Sequence, residues 1–445
     1  MKKITTLLFL MFLTFHVQAQ KVMTLQECIA YALEHNVELK QRAIDVDLRK
    51  QDVYESKNRF LPDVKAEVSE QVGHGNLVTA SGMMNSGASS KYSLSYTAAS
   101  VSSSMPIYTG GFIKHQKKAD GFSLESALHN LEAARKDLSI QISIQFLQVL
   151  YYKNLTEVSR QQCILSKDLL ERAKARVEEG KSPISEQANA EAKLAEDEWK
   201  LAKDEGNVTL ALVNLAQMLT LPSPESFDIS EEGLVMPAQI PGDMNLQPSL
   251  DYYENCVENY PTIASAKAMV KEAESKVLVE KSKLKPTVSL RASLSTNYYC
   301  IFDKGVPSPT FSNQFFEQNP AEIIGVHVSV PIFNRGATRA AVNRSKLMVQ
   351  NKQNNLELQR QELRNEIELA YYNAKVSIDN YYTAFKARKA GEISFRFEKD
   401  KYEAGRSSLF DMNEANQKWL KAQQDELQAK YEYLIRKQIL DFYSE

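Results

Sequence analysis

The chain of 445 residues carries 54 Lys and Arg against 56 Asp and Glu, a formal charge of −2, so no basic surplus draws it to nucleic acid. A quarter of the residues are charged and only 16 are glycine, a composition that favours long helices over an all-β fold. The four cysteines, Cys28, Cys163, Cys256 and Cys300, stand far apart without metal-site spacing and read as isolated thiols in helix or strand packing.

The first 19 residues pair Lys2 and Lys3 with an apolar run from Ile4 to Phe15 and small residues at Val17 and Ala19. That pattern is an export signal, expected to leave a mature chain that starts at Gln20 with a charge of about −4. No later stretch approaches the roughly 20 apolar residues of a membrane-spanning helix. A lipid anchor is not expected, because the first cysteine, Cys28, is remote from the cut.

A helix is expected over about 24–59, ending before Pro62. The strand DVKAEVS follows, with Val64, Ala66 and Val68 alternating. A Gly- and Ser-rich loop spans 73–90. The next strand, YSLSYTAASVSSSM, slips phase near Ala98 and Ala99, where a bulge is expected. Beyond Pro106 a long helix is expected over 111–179, a span of roughly 100 Å, then a turn at Gly180 and a helix over 183–219. Residues 220–249 contain five prolines and read as a connection wrapped outside the helices.

The second half runs the same way. A helix over 250–284 ends before Pro286. In the strand TVSLRASLS, Val288, Leu290, Ala292 and Leu294 alternate with Thr287, Ser289, Arg291 and Ser293. An irregular loop over 301–320 leads to IGVHVSV, Pro331 and a long helix over 337–404. There Val342, Val349, Leu356, Leu363 and Ala370 are seven apart, a narrow seam that faces a partner helix. Gly405 then turns the chain into a helix over 408–440. In each half the two shorter helices together match the long one, so they can stack end to end along it.

The halves are one passage written twice. RVEEGKSPISEQANAEA (176–192) returns 225 positions later as KYEAGRSSLFDMNEANQ (401–417), aligning Gly180 with Gly405, Ser182 with Ser407 and Glu186 with Asp411. The segments around Pro62 and Pro106 return around Pro286 and Pro331 at offsets of 224 and 225, and Ile142 returns as Ile367. Such self-similarity marks a duplicated structural unit. The expected organisation is a signal peptide (1–19), a first repeat (20–219, strands within 61–108), a linker (220–249) and a second repeat (250–445, strands within 286–333). The four prolines mark the junctions of helix and strand.

Four alternating strands suit a half-buried sheet in a soluble protein. Here the polar faces are rich in Ser, Thr, Arg and His, and Phe60, Tyr108, Tyr298, Tyr299 and Phe333 gather near the strand ends, as in the wall and aromatic girdle of a membrane barrel. Four strands cannot close a barrel, and an open edge in lipid costs several kcal/mol per unpaired backbone group. Two copies would give eight strands with a filled interior; three would give twelve and room for a channel.

MTLQECIAYALEHNVELK, SVPIFNRG, NLAQMLTLP and KYEAGRSSLFDMNEAN resemble, in order and across nearly the whole mature chain, the TolC-type outer-membrane efflux proteins. The resemblance implies a mainly α fold with a transmembrane β part. In a homotrimer a long antiparallel coiled-coil α-barrel would continue a 12-stranded β-barrel. It implies the channel-tunnel of a tripartite efflux or type I secretion system, a passive exit duct from periplasm to outer membrane. The partners would be a periplasmic adaptor protein and an inner-membrane pump of RND or ABC type.

In that family the doubled passage is the tip of a helical hairpin. Gly180 and Gly405 allow the turn and, with Lys181 and Arg406, would meet the adaptor. Asp411 and Glu414 fall where acids ring the constricted mouth. Glu186 is the first hairpin's equivalent of Asp411, and Asn189 replaces its second acid. Ser407 stands where some relatives carry a latching arginine, which leaves Arg406 as the candidate latch.

A periplasmic adaptor is the alternative, but it would need compact β domains flanking a single hairpin. A structural rod of the envelope is another. An enzyme is not expected, because His35, His74, His115, His129 and His327 are scattered with no nucleophile or phosphate-loop motif beside them. No cofactor or metal is expected either.

Overall fold

The computed structural model describes residues 21–75, 92–221, 227–232, 234, 249–302 and 309–444. The expected signal peptide, most of the 73–90 loop and most of the linker lie outside the described residues.

In the first repeat, β1 (Lys21–Met23) leads to α1 (Leu25–His35) and α2 (Val37–Asn58), then β2 (Asp63–Gly75), β3 (Tyr92–Tyr108), α3 (Phe112–Glu178) and α4 (Ile184–Met218). After β4 (Phe227–Ile229) the second repeat gives α5 (Leu250–Cys256), α6 (Pro261–Ser282), β5 (Thr287–Ile301), β6 (Ala321–Ser329), α7 (Ala337–Glu403) and α8 (Leu409–Ser444).

The expected 24–59 helix is two helices. Thr24 and Glu27 form a reciprocal capping box at the start of α1. Asn36 then leaves helical geometry (ψ 129°), and its side chain accepts the Leu39 N–H at 3.1 Å to start α2. The second repeat breaks at the equivalent place, where Tyr260 (ψ 140°) precedes Pro261. Fixed φ and a missing N–H suit proline to the first helical position.

The chain divides into two units. One takes in residues 1–44, 129–264 and 357–445. Its core joins Ile142, Phe146 and Leu150 of α3 to Leu215 of α4, Tyr431 of α8, Cys28 and Ala32 of α1, and Phe227 and Ile229 of β4. The large aliphatic and aromatic members, such as Ile142, Phe146 and Leu215, each contribute about 1.5–3 kcal/mol by leaving water. The linker is therefore not simply wrapped outside: β4 pairs in parallel with β1, Val22 opposite Asp228, and Lys153 of α3 bonds both Asp228 and the Ile229 carbonyl, the latter at 3.0 Å.

The other unit, residues 45–128 and 265–356, contains an antiparallel sheet in the order β2-β3-β5-β6. Pro62 and Pro286 each sit one residue before a strand, and Pro331 lies two residues past β6. Pro106 departs from the expected junction. It lies inside β3, where the register shifts between Pro106 and Tyr108, because a residue without an N–H cannot continue the ladder. No bulge occurs at Ala98 and Ala99, which pair in step with Asn297 and Thr296. The apparent phase slip is a change in which face carries the apolar residues.

Candidate functional site: hairpin tips and the strand wall

The tips of the two hairpins share one backbone geometry. The Gly180 N–H bonds the Val177 carbonyl at 2.9 Å and the Lys181 N–H bonds Arg176 at 2.8 Å; Gly405 to Tyr402 and Arg406 to Lys401 repeat this at 2.9 and 2.8 Å. These are Schellman caps, whose C′ residue takes the left-handed conformation. Both glycines have φ +70°, where an L side chain is strained. A third such cap ends α4, where Thr220 (φ +56°) bears the same geometry without glycine.

Hairpin one is α3 with α4, and hairpin two is α7 with α8. The two are tied together near their tips. Arg172 of α3 holds Glu403 of α7 at 3.2 Å and Asp168 at 2.9 Å. The Tyr402 hydroxyl of α7 donates to Glu186 of α4 at 3.3 Å, and the Arg176 guanidinium lies 5.4 Å above the Tyr402 ring. Burial pushes the Tyr402 hydroxyl above its ordinary range, so it remains a donor at neutral pH. Tyr402, Phe395, Leu409 and Met412 pack on Leu169 of α3 beneath these polar ties.

Of the acids expected at the mouth, Asp411 and Glu414 are exposed on α8, three residues apart on one face. Neither carboxylate is bare. Asp411 exchanges hydrogen bonds with Ser408, accepting its hydroxyl at 2.7 Å and its N–H at 3.4 Å, and these hold it below the usual carboxylate range. Asp411 therefore caps α8. Glu414 pairs with Lys418 at 2.6 Å. Glu186 faces Tyr402 in the same chain. Lys181 pairs with Glu179 at 2.6 Å. Arg406 is exposed and makes no ion pair among the described residues; the neighbouring Ser407 donates instead to Glu398.

One feature of hairpin one escaped the sequence reading. Asp197 and Asp204 of α4 are 2% and 5% exposed. Ser159 donates to Asp204 at 2.6 Å, Gln162 and Ser166 to Asp197, and Lys193 pairs with Asp197 at 3.0 Å. Asn416 of α8 joins through Gln162 at 3.1 Å. The signal was present as two matched heptads, Ala190-Asp197-Asp204-Ala211 and Ser159-Ser166-Ala173. Among the described residues, hairpin two has no such aspartates in its seam: Phe395 stacks on Trp419 at 5.1 Å, Gly391 leaves room for the Trp419 backbone, and Arg388 of α7 pairs with Glu426 of α8.

In the sheet, the cross-strand register puts Ala66, Val101, Leu294 and Glu322 in one row, with Val68-Ala99-Thr296 and Ser103-Ala292-Ile324 beside it. Side chains alternate between faces, so this face is apolar from Val64 and Val328 up to Glu70 and Glu322. The opposite face carries Lys65, Glu67, Ser102, Arg291, Ser293 and His327. The apolar side is uncovered: Ile324 is 81% and Val68 77% exposed. A soluble sheet hides such a face; this one needs an apolar solvent or a partner.

The sequence model of the outer membrane efflux protein family matches residues 28–220 and 252–443, once for each repeat. No curated protein matches the chain by sequence. Similar solved structures include the outer membrane protein VceC of Vibrio cholerae (15% identity, TM-score 0.75, 94% of this chain and 96% of that one). The Campylobacter jejuni CmeC outer membrane channel is 17% identical, with TM-score 0.74 and coverage of 94% and 85%. The open state of the Neisseria gonorrhoeae MtrE outer membrane channel is 17% identical, with TM-score 0.73 and coverage of 94% and 88%. Two matches of the family model across both repeats, on a chain folded like these channels, place the protein in the outer membrane: it belongs to the outer membrane efflux protein family and is an efflux channel, not a periplasmic adaptor.

Proposed function

We propose that three copies of the chain close a twelve-stranded barrel in the outer membrane, and that their helices form a tunnel from the periplasm to it. The observation that supports this is the sheet itself. β2 and β6 are both edges, one side is apolar, and each unpaired backbone group in lipid costs several kcal/mol. Neighbouring chains that join β2 to β6 remove every edge. Eight strands from two copies would enclose a filled interior, whereas Arg291, Lys65, Glu67 and His327 need the water that twelve strands admit. The tunnel would receive cargo from an inner-membrane pump through a periplasmic adaptor, which meets the exposed tips at Gly180, Lys181, Gly405 and Arg406.

The mouth would be held shut by the ties between hairpins, Tyr402 to Glu186 and Arg172 to Glu403. Moving hairpin two away from hairpin one breaks both. Asp411 and Glu414, repeated in three copies, would ring the mouth and favour cations, with Lys418 offsetting part of the charge. Planar-bilayer recording tests this reading: purified protein should form cation-preferring channels of low open probability, and a protein that leaves bilayers non-conducting contradicts it.

A further inference from the structure

The segment before β6 is held in an unusual way. β6 pairs with β5 only as far as Ala321 opposite Ser295, so beyond Ser295 the described part of β6 no longer flanks β5, whose other side continues to pair with β3. A π-helical turn, Asn313–Gln318, covers the side that β6 leaves. Gln314, 1% exposed, accepts the Tyr299 N–H at 3.1 Å and donates to the Tyr299 carbonyl at 2.9 Å, as a strand would. Asn319 donates to the Asn297 carbonyl at 2.8 Å, and Thr296 to the Phe315 carbonyl at 2.6 Å.

This anchoring sets an aromatic cluster against the apolar face. Phe311 meets Tyr298 edge-on at 5.1 Å and stacks on Phe315 at 4.8 Å, with Phe316 5.3 Å from Phe315. Between these rings and the strands lies a groove of about 340 Å³, lined by Val68, Ala99, Leu294, Thr296, Phe315 and Phe316 among others. The small side chains of Ala66 and Ala99 deepen it. Two residues beyond Val68 on the same face stands Glu70, roughly 7 Å further along the strand. Its carboxylate accepts from the Ser95 and Thr97 hydroxyls and forms no ion pair among the described residues. A carboxylate therefore stands a little beyond the apolar trough, past Val68 on the same face, on the wall of the sheet that the proposed function turns toward lipid.

We propose that this groove is a phospholipid site: one acyl chain lies between the strands and the Phe315–Phe316 wall, and the ammonium of its headgroup sits on Glu70. The site rests on the reading that the apolar face meets the bilayer. Hydrocarbon fits the lining: Glu67, Ser100 and Ser295 border the trough but form a row whose side chains belong to the opposite face of the sheet, and the Thr296 hydroxyl is engaged with the Phe315 carbonyl. The headgroup preference follows from charge. An anionic headgroup is repelled by Glu70, and an ammonium is attracted and hydrogen-bonded.

Native mass spectrometry of the full chain, released from nanodiscs of phosphatidylethanolamine or of phosphatidylglycerol, tests the site. The expected result is phosphatidylethanolamine retained on the intact trimer, up to one per chain, about fivefold over phosphatidylglycerol. Glu70→Gln should level the two lipids, and Ala99→Phe, which fills the trough, should abolish retention. Phe316→Ala removes an exposed part of the wall without touching a buried core and should weaken retention of both lipids. Intact trimers that retain neither lipid, show no preference, or keep their lipid in both Ala99→Phe and Phe316→Ala overturn the proposal. The same spectra read the oligomer independently, so monomers would contradict the channel reading itself.

Discussion

Tyr402→Phe removes one oxygen and leaves the ring that packs on Leu169, Phe395, Leu409 and Met412. What is lost is the 3.3 Å hydrogen bond to Glu186. A bond to a buried charged acceptor contributes about 1.5–3 kcal/mol. This one is long, and Glu186 is only half-buried, so about 1 kcal/mol per chain is appropriate. If the mouth of a trimer opens with all three ties broken together, the closed state loses about 3 kcal/mol, a rise of about two orders of magnitude in the open-to-closed ratio. Single-channel recording in planar bilayers measures that ratio directly. Glu186→Ala should give a similar increase, and the double variant should add little to either, because both remove the same contact. Open probability unchanged in Tyr402→Phe, or effects that simply add in the double variant, would refute the latch.

Gly405→Ala and Gly180→Ala place a Cβ in open space but in a left-handed backbone, at a cost of about 1–2 kcal/mol; amide hydrogen exchange at the edited tip should speed up about 5–30-fold while the other tip is unchanged. Replacing Asp411 and Glu414 together by alanine should raise single-channel conductance and weaken block by cations, with some fraying of α8 from the lost cap. Loss of water, then Glu38, raises the Asp137 carboxyl above its ordinary value, and loss of water, then Asp137 and Glu362, raises Glu366. Raised folded-state values mean that the ionised acids oppose folding, so stability declines as pH climbs from the ordinary carboxylate range through the raised values. Asp137→Asn should therefore increase Tm at pH 7 and lose that advantage near pH 4, as read by differential scanning calorimetry.

Where one physical cause acted locally, the sequence was readable. Strand faces followed from period two, and the Val64, Val288 and Val326 faces are those observed. Proline and glycine punctuation marked the turns, and the duplication let each half check the other. What stayed hidden depended on partners far along the chain. Three residues of β4 show no periodicity, and their partner, β1, is some 200 positions earlier. Glu186 reads as a surface acid until the fold brings Tyr402 to it from 216 positions away. Asp197 and Asp204 share a helix face with Ala190 and Ala211, but a charge on that face reads as solvated until the facing Ser159, Gln162 and Ser166, with Lys193, are seen to make its burial tolerable. The charge of Asp411 points to the mouth, yet its spacing from Ser408 is also that of a capping box.

Closure of the barrel between chains is tested most directly by disulfide trapping across the two sheet edges. In a background with the four cysteines replaced by serine, Val68→Cys on β2 would be combined in turn with Ile324→Cys and Val326→Cys on β6, which share its face, and native membranes would be oxidised. Strands joined β2 to β6 predict a ladder of crosslinked species that stops at three chains for at least one pairing. A ladder ending at two chains, or monomers throughout, would contradict the twelve-stranded wall.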